Sequence, residues 1–260
     1  TYQTNVMGTL HVLEGIRSVD SVRSAVMITT DKCYQNKEWV WGYRETDTLG
    51  GHDPYSSSKG AAELLISSYR NSYFPQDKYS EHKTAIASAR AGNVIGGGDW
   101  AEDRLIPDII KAFKNNEKVI IRNPKSTRPW QHVLEPLSGY LKLAEQLEKN
   151  GDQYAEAWNF GPAEIDARPV QWIVEKMAKL WGENANWIND KSEHPHEANY
   201  LKLDCSKAHM KLNWYPRWDL SETLLRIVEW HKLKDAHNNY RKLCLTQIND
   251  YMKDMNNENC

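Results

Sequence analysis

The chain has 260 residues, 33 basic and 35 acidic side chains, and a hydrophobic content of 40%. That is enough apolar material for one large domain or a large and a small one. The near-cancelling charge, with no long block of one sign, argues against a nucleic-acid or membrane-surface protein. Cys33, Cys205, Cys244 and Cys260 are scattered, with no CxxC pair and no metal-ligand spacing. They suit a reducing cytosol rather than a disulfide framework, and no apolar run is long enough to span a membrane.

The chain opens in "TYQTNVMGTL", and Val6, Leu10, Val12, Leu13 and Ile16 predict an amphipathic helix over 3–18. Starting without methionine inside a helix that needs a partner, the sequence predicts that an N-terminal portion precedes it. The run Ala25 to Ile28 predicts a short buried strand, ending in Thr29, Thr30, Asp31 and Lys32. Taken alone, that acid and base satisfy a solvated loop ion pair as well as a functional pair. A loop containing Trp, Tyr and Gly fills 34–53. Asp53 then caps a helix with Pro54 at its first position, and Ala61, Leu64, Leu65, Ile66 and Tyr69 carry it to Tyr73.

Tyr55 and Lys59 are four apart on that helix and share a face. An ammonium near a phenol favours the phenolate and equips it as a base at neutral pH. The bare Tyr-x-x-x-Lys pattern also occurs by chance as an ordinary exposed helix pair.

"TAIASAR" (84–90) predicts a second buried strand, leading into "AGNVIGGGDW". The Gly96–Asp99 stretch has neither GxGxxG nor P-loop spacing and predicts a flexible turn rather than a phosphate cradle. A helix at 104–115, a strand at 118–122, a helix to Glu148, a strand at 155–162 and a helix at 169–183 follow. Asp219 and Glu222 form a capping box opening one long C-terminal helix, with a frayed polar tail at 251–260. This alternation predicts an α/β fold with a mostly parallel sheet.

Asn5 on a helix, Thr29-Thr30 at a strand end, Tyr55-x-x-x-Lys59, and then "RAGNVIGGG" resemble the extended short-chain dehydrogenase/reductase family in content and order. "TTDKCYQNKEWVWGYRETDTLGGHDPYSSSK", "RNPKSTRPWQHVLEPLSGYL", "HEANYLKLDCSKA" and "LNWYPRWDL" are similar to its CDP-glucose 4,6-dehydratase branch, over essentially the whole chain. Epimerases of the family continue the strand as Ser-Ser-x-x-Val-Tyr-Gly, without an Asp-Lys pair.

The resemblance implies a partial Rossmann-type, doubly wound parallel sheet in residues 1–95, to which the 155–160 strand returns. A smaller mixed substrate-binding domain is implied for 96–250. It implies NAD as cofactor and CDP-D-glucose as substrate, dehydrated to the 4-keto-6-deoxy sugar in O-antigen synthesis. Tyr55 is then the catalytic base, Lys59 the ribose-binding lysine and Thr30 the hydroxyl at the substrate oxygen, with Thr29 also beside the cofactor. Asp31 and Lys32 serve the dehydration jointly; related dTDP-glucose dehydratases carry Asp-Glu there. Asn93 and Arg128 are implied as sugar-nucleotide contacts. His132 is implied as a substrate-side residue or a packed, satisfied histidine, and Arg90 as structural or cofactor-side. Glu197 is assigned to the nucleotide end. A homodimer through the helices near 3–18 and 54–73 is implied, with no metal.

The family's glycine-rich cofactor turn is missing from these 260 residues and is expected in the preceding segment. Two other readings stay open: an inverting UDP-sugar 4,6-dehydratase or related epimerase, and a non-catalytic sugar-nucleotide binding domain.

Overall fold

The computed structural model describes residues 1–182, 185–190, 192, 200–237 and 239–257. In chain order its strands are β1 (Ser24–Ile28), β2 (Ala85–Ala91), β3 (Asn93–Ile95), β4 (Val119–Ile121), β5 (Thr127–Arg128), β6 (Trp130–His132), β7 (Ala157–Phe160), β8 (Arg168–Pro169) and β9 (Trp187–Asn189). Its helices are α1 (Gly8–Arg17), α2 (Pro54–Ser72), α3 (Tyr79–His82), α4 (Leu105–Lys114), α5 (Leu134–Tyr154), α6 (Val170–Trp181), α7 (Ser206–Leu212), α8 (Leu220–His237) and α9 (Tyr240–Asn257). A π-helical segment, Gln3–Met7, runs into α1, and a 3-10 turn, Asp31–Cys33, follows β1.

These elements form two compact units. The first comprises Thr1–Gly92, Pro136–Gly161 and Leu201–Tyr215; the other described residues form the second. The first unit thus takes two later segments of the chain besides its N-terminal portion.

The first unit is built on a parallel sheet ordered β1-β2-β7, with Ser24 opposite Ala85 and Ser88 opposite Ala157. Strand β2 is buried along its whole length, and its alternation sorts two layers of helices. Ala85, Ala87 and Ala89 face Leu143 and Leu147 of α5, Ala208 of α7 and Trp158; these small side chains leave room for the indole. Ile86 joins Leu13 and Ile16 of α1 and Ile66 and Tyr69 of α2. This is the α/β class with a parallel sheet expected from the alternation. Strand β1 departs from its sequence expectation of full burial: it pairs with β2 on one side, and Ile28 is exposed.

The second unit is mixed, with parallel ladders β3-β6 and β4-β9 and an antiparallel ladder β5-β8. Its core joins Ile106, Ile109, Ile110 and Phe113 of α4 to Ile173, Val174 and Met177 of α6 and Leu224, Ile227 and Val228 of α8. The two- and three-residue strands are too short to leave a periodic signal.

The C-terminal expectation needs two corrections. In place of one long helix, α8 and α9 pack on each other, with Asn239 capping α9 through the Lys242 N–H at 3.0 Å. The segment expected to fray continues as helix to Asn257. Tyr251 is buried, its hydroxyl donating to Glu135 Oε2 at 2.7 Å, and Asp254 accepts from Trp218 Nε1 at 2.9 Å. The Gly96–Asp99 stretch is a turn, but a packed one. Gly98 has φ +84°, and a Cβ on Gly97 would meet the Trp230 ring at 2.3 Å.

Candidate active site

Two elements of the first unit bring the sequence-identified chemistry together. Strand β1 runs out into Thr29, whose N–H still bonds the Ala89 carbonyl at 2.8 Å, and Thr30 is extended (φ −154°, ψ 158°). The Thr30 hydroxyl donates to Asp31 Oδ1 at 2.9 Å and caps the 3-10 turn by accepting from the Lys32 N–H at 3.4 Å. That turn sends the two neighbours apart. Asp31 is 2% exposed, whereas Lys32 is exposed, with Nζ 5.9 Å from the ring centroid of Tyr55. The carboxyl of Asp31 is thus buried beside Thr30, and the Lys32 ammonium lies over the phenol ring.

Helix α2 supplies that phenol. Asp53 Oδ1 accepts the N–H groups of Tyr55 (2.8 Å) and Ser56 (3.1 Å), and the Ser56 hydroxyl accepts the Asp53 N–H at 3.2 Å, closing a capping box. Partial burial works against the Asp53 charge, but the Ser56 hydroxyl and these amides hold its carboxyl below the ordinary range. Gly51 fits where a Cβ would stand 2.1 Å from the Ser57 nitrogen, so the chain must be bare there to pass the helix start. Tyr55 is 44% exposed and Lys59, one turn on, is half-buried. From the π-helical segment, Asn5 Nδ2 donates to the Ser58 hydroxyl at 2.9 Å, which donates to the Tyr55 carbonyl at 2.7 Å. Asn5 therefore braces the turn carrying Tyr55.

Thr29 has a different setting. Its hydroxyl donates to Glu63 of α2, a residue the sequence reading missed. Glu63 also accepts Arg90 Nη2 at 2.7 Å and the Ser88 hydroxyl at 2.8 Å. Burial opposes ionisation of Glu63, but the guanidinium and the two hydroxyls hold its carboxyl below the usual range. Arg90 is thus structural, the first of the two roles implied for it.

The remaining sequence-identified residues belong to the second unit. Asn93 opens β3, its N–H bonded to the Pro129 carbonyl at 3.0 Å. Arg128 lies half-buried on β5, with Nη1 donating to the Thr127 carbonyl at 3.1 Å. His132, on β6, is 1% exposed; its Nδ1 accepts the Leu134 N–H at 3.3 Å, and its ring packs edge-on against Trp218 at 4.8 Å. The ring is packed, but its Nε2 is buried without a hydrogen-bond partner among the described residues. Glu197 lies outside the described residues.

Burial, reinforced by the Arg226 charge, pushes the His132 imidazole from an ordinary 6.5 down to about 4. The unfolded chain then binds the proton more readily than the fold. The stability contribution is fully present above about 6.5 and is lost as pH falls toward 4, by roughly 2 kcal/mol between pH 7 and pH 5. His132→Asn, which keeps an acceptor near the Leu134 N–H, is expected to remove that slope. Urea unfolding of both proteins at the two pH values checks it, and equal slopes would refute the assignment.

A Thr-Asp turn at a parallel-strand end is thus set against a Tyr-x-x-x-Lys helix face. The family model described as GDP-mannose 4,6 dehydratase matches residues 1–227. The CDP-glucose 4,6-dehydratase of Salmonella typhimurium is 58% identical over 97% of this chain and 70% of that protein. Mouse dTDP-D-glucose 4,6-dehydratase is 26% identical over 90% of this chain, which spans 62% of it. Among solved structures, dTDP-glucose 4,6-dehydratase from Bacillus anthracis in complex with NAD superposes with a TM-score of 0.74 at 20% identity, covering 93% of this chain and 71% of that one. UDP-glucuronic acid 4-epimerase from Bacillus cereus gives 0.73 at 22% identity, covering 89% and 68%. The chain belongs to the GDP-mannose 4,6 dehydratase family. No helix among the described residues is long and apolar enough to cross a membrane.

Proposed function

We propose that the protein is a carbon–oxygen lyase that dehydrates CDP-D-glucose to CDP-4-keto-6-deoxy-D-glucose with NAD, in the deoxysugar supply of lipopolysaccharide. The observation that most supports this is Lys32 Nζ standing 5.9 Å from the Tyr55 ring: the elimination residues and the oxidation base share one site.

The residues fit the ribose end of a nicotinamide dinucleotide, because the phenol and the Lys59 ammonium lie one turn apart at an accessible start of α2. When bound, such a cofactor supplies a hydride acceptor for C4 and a hydride donor for C6. Tyr55 takes the proton of the glucose 4-hydroxyl, and the Thr30 hydroxyl turns from Asp31 to the same oxygen. The ketone at C4 acidifies the C5 hydrogen. Asp31 and Lys32 move protons from C5 and to the departing C6 hydroxyl. Asn93 and Arg128 stay the nucleotide-sugar contacts that the resemblance implies, the guanidinium fork suiting diphosphate oxygens.

The test is to incubate the full-length protein and NAD with CDP-, UDP- and dTDP-glucose and UDP-N-acetylglucosamine, and to follow loss of one water by mass. CDP-glucose is expected to turn over fastest. Turnover confined to the UDP-N-acetyl sugar would replace this reading with the inverting one.

The same reading makes the protein a cytosolic homodimer through the helices near 3–18 and 54–73. Val12 and Leu64 on them are 52% and 61% exposed, apolar area that a second copy would cover. Leu64→Asp is expected to yield monomers in sedimentation at micromolar concentration; a dimer unchanged by it would move the interface elsewhere.

A further inference from the structure

Glu63 stands on α2 one turn beyond Lys59 and two beyond Tyr55, on the same side of the helix. It is 2% exposed, and its carboxylate gathers Thr29 from the end of β1 with Ser88 and Arg90 from β2. Arg90, 3% exposed, carries the linkage further. Its Nη1 donates to the Tyr34 hydroxyl at 2.8 Å and to the Glu45 carbonyl at 3.0 Å. The Tyr34 hydroxyl donates in turn to Asn159 Oδ1 on β7 at 2.7 Å.

A buried ion pair adds little stability over apolar residues of the same volume, because desolvation offsets the Coulomb gain. What this one supplies is direction. All its partners on β2 lie on the even-numbered face, Ser88 and Arg90, which meets α2. Its partner on β1 is the residue directly before Thr30 and Asp31. One carboxylate therefore ties the strand end bearing the elimination residues to the helix bearing the oxidation base.

We propose that the Glu63–Arg90 pair is the positioning joint of the site. It holds the Thr30–Asp31–Lys32 turn in register with Tyr55 and Lys59, and Thr29 belongs to this joint rather than to the cofactor's contacts. The inference rests on the dehydratase reading for its kinetic consequence only. Glu63 and Arg90 are positioning residues, and misplacement of reacting groups by about 1 Å lowers rates on the order of a hundredfold.

Glu63→Gln would leave a buried guanidinium without its counter-charge and endanger the fold, so the test works at the periphery of the joint. Thr29→Val removes one donor at nearly constant shape, Thr29→Ser keeps it, and Ser88→Ala removes the hydroxyl donor supplied by β2. Backbone amide exchange over residues 29–34 is measured by mass spectrometry without substrate, and kcat and both KM values are measured with substrate and NAD. Thr29→Val is expected to raise exchange in that segment roughly tenfold and to lower kcat by about ten- to a hundredfold. The KM for NAD should stay within about twofold. Thr29→Ser should restore both readouts, and Ser88→Ala should lower kcat in the same sense. A raised KM for NAD with exchange and kcat kept would make Thr29 a cofactor contact and overturn the joint. Exchange unchanged, or raised with kcat kept, would overturn it as well. If the wild type turns over no nucleotide-sugar, the dehydratase reading fails by itself, and the exchange readout still decides whether the joint exists.

Discussion

Tyr55→Phe is expected to lower turnover of CDP-glucose by roughly a thousandfold or more while leaving the fold intact. The size follows from the proposed role: the lost hydroxyl is the base for the first proton transfer, a contribution typically on the order of a hundred- to ten-thousandfold. The intact fold follows from the surroundings. Tyr55 is 44% exposed, and what holds the helix start together is the Asp53–Ser56 capping box and the backbone contact at Gly51, none of which involves the phenol. The variant should therefore melt within a few degrees of the wild type and still bind CDP-glucose. Initial rates by product mass, a thermal melt and a nucleotide-sugar titration check the three statements. Full activity in the variant would remove Tyr55 from the chemistry and favour a binding domain without catalysis.

The part of the site carried by local pattern was legible in the amino-acid order. A cap, a proline and two side chains four apart define the Tyr55 helix without reference to anything distant. The strands around 25–28, 84–90 and 157–160 were legible too, since runs of Ala, Val and Ile between turn residues need no partner to be recognised. Glu63 was not legible. In "GAAELL" it occupies a helix position where a solvated acid is ordinary, and its burial depends on Ser88 and Arg90, which only the packing of α2 on β2 brings opposite it. The signal available was the reverse one: a serine and an arginine inside a strand otherwise fit for full burial require an acidic partner. The burial of His132 was not legible either, as a motif shows which residue is present but not which way its strand faces. The C-terminal hairpin escaped because the helical composition of 219–257 is continuous, and the break shows only in the cap at Asn239.

The question left by the Asp-Lys pair is which residue handles which proton, and the geometry leads to a defined expectation. Asp31 is buried beside the exposed Lys32, which stands over the ring of Tyr55. A buried carboxyl suits delivery of a proton to the departing C6 hydroxyl, which leaves Lys32 to take the C5 proton. Asp31→Asn is then expected to lower product formation by roughly a hundred- to a thousandfold. Deuterium from solvent should still enter C5 of recovered substrate. Lys32→Met should lower both C5 exchange and product together, by about tenfold or more, since the C5 proton then loses the group left to accept it. Recovered substrate analysed by NMR after partial turnover in deuterium oxide separates the two. Loss of C5 exchange in Asp31→Asn would make Asp31 the base rather than the acid. An unchanged rate in Lys32→Met would show that the ammonium over Tyr55 does not serve the reaction and would return Lys32 to the exposed surface.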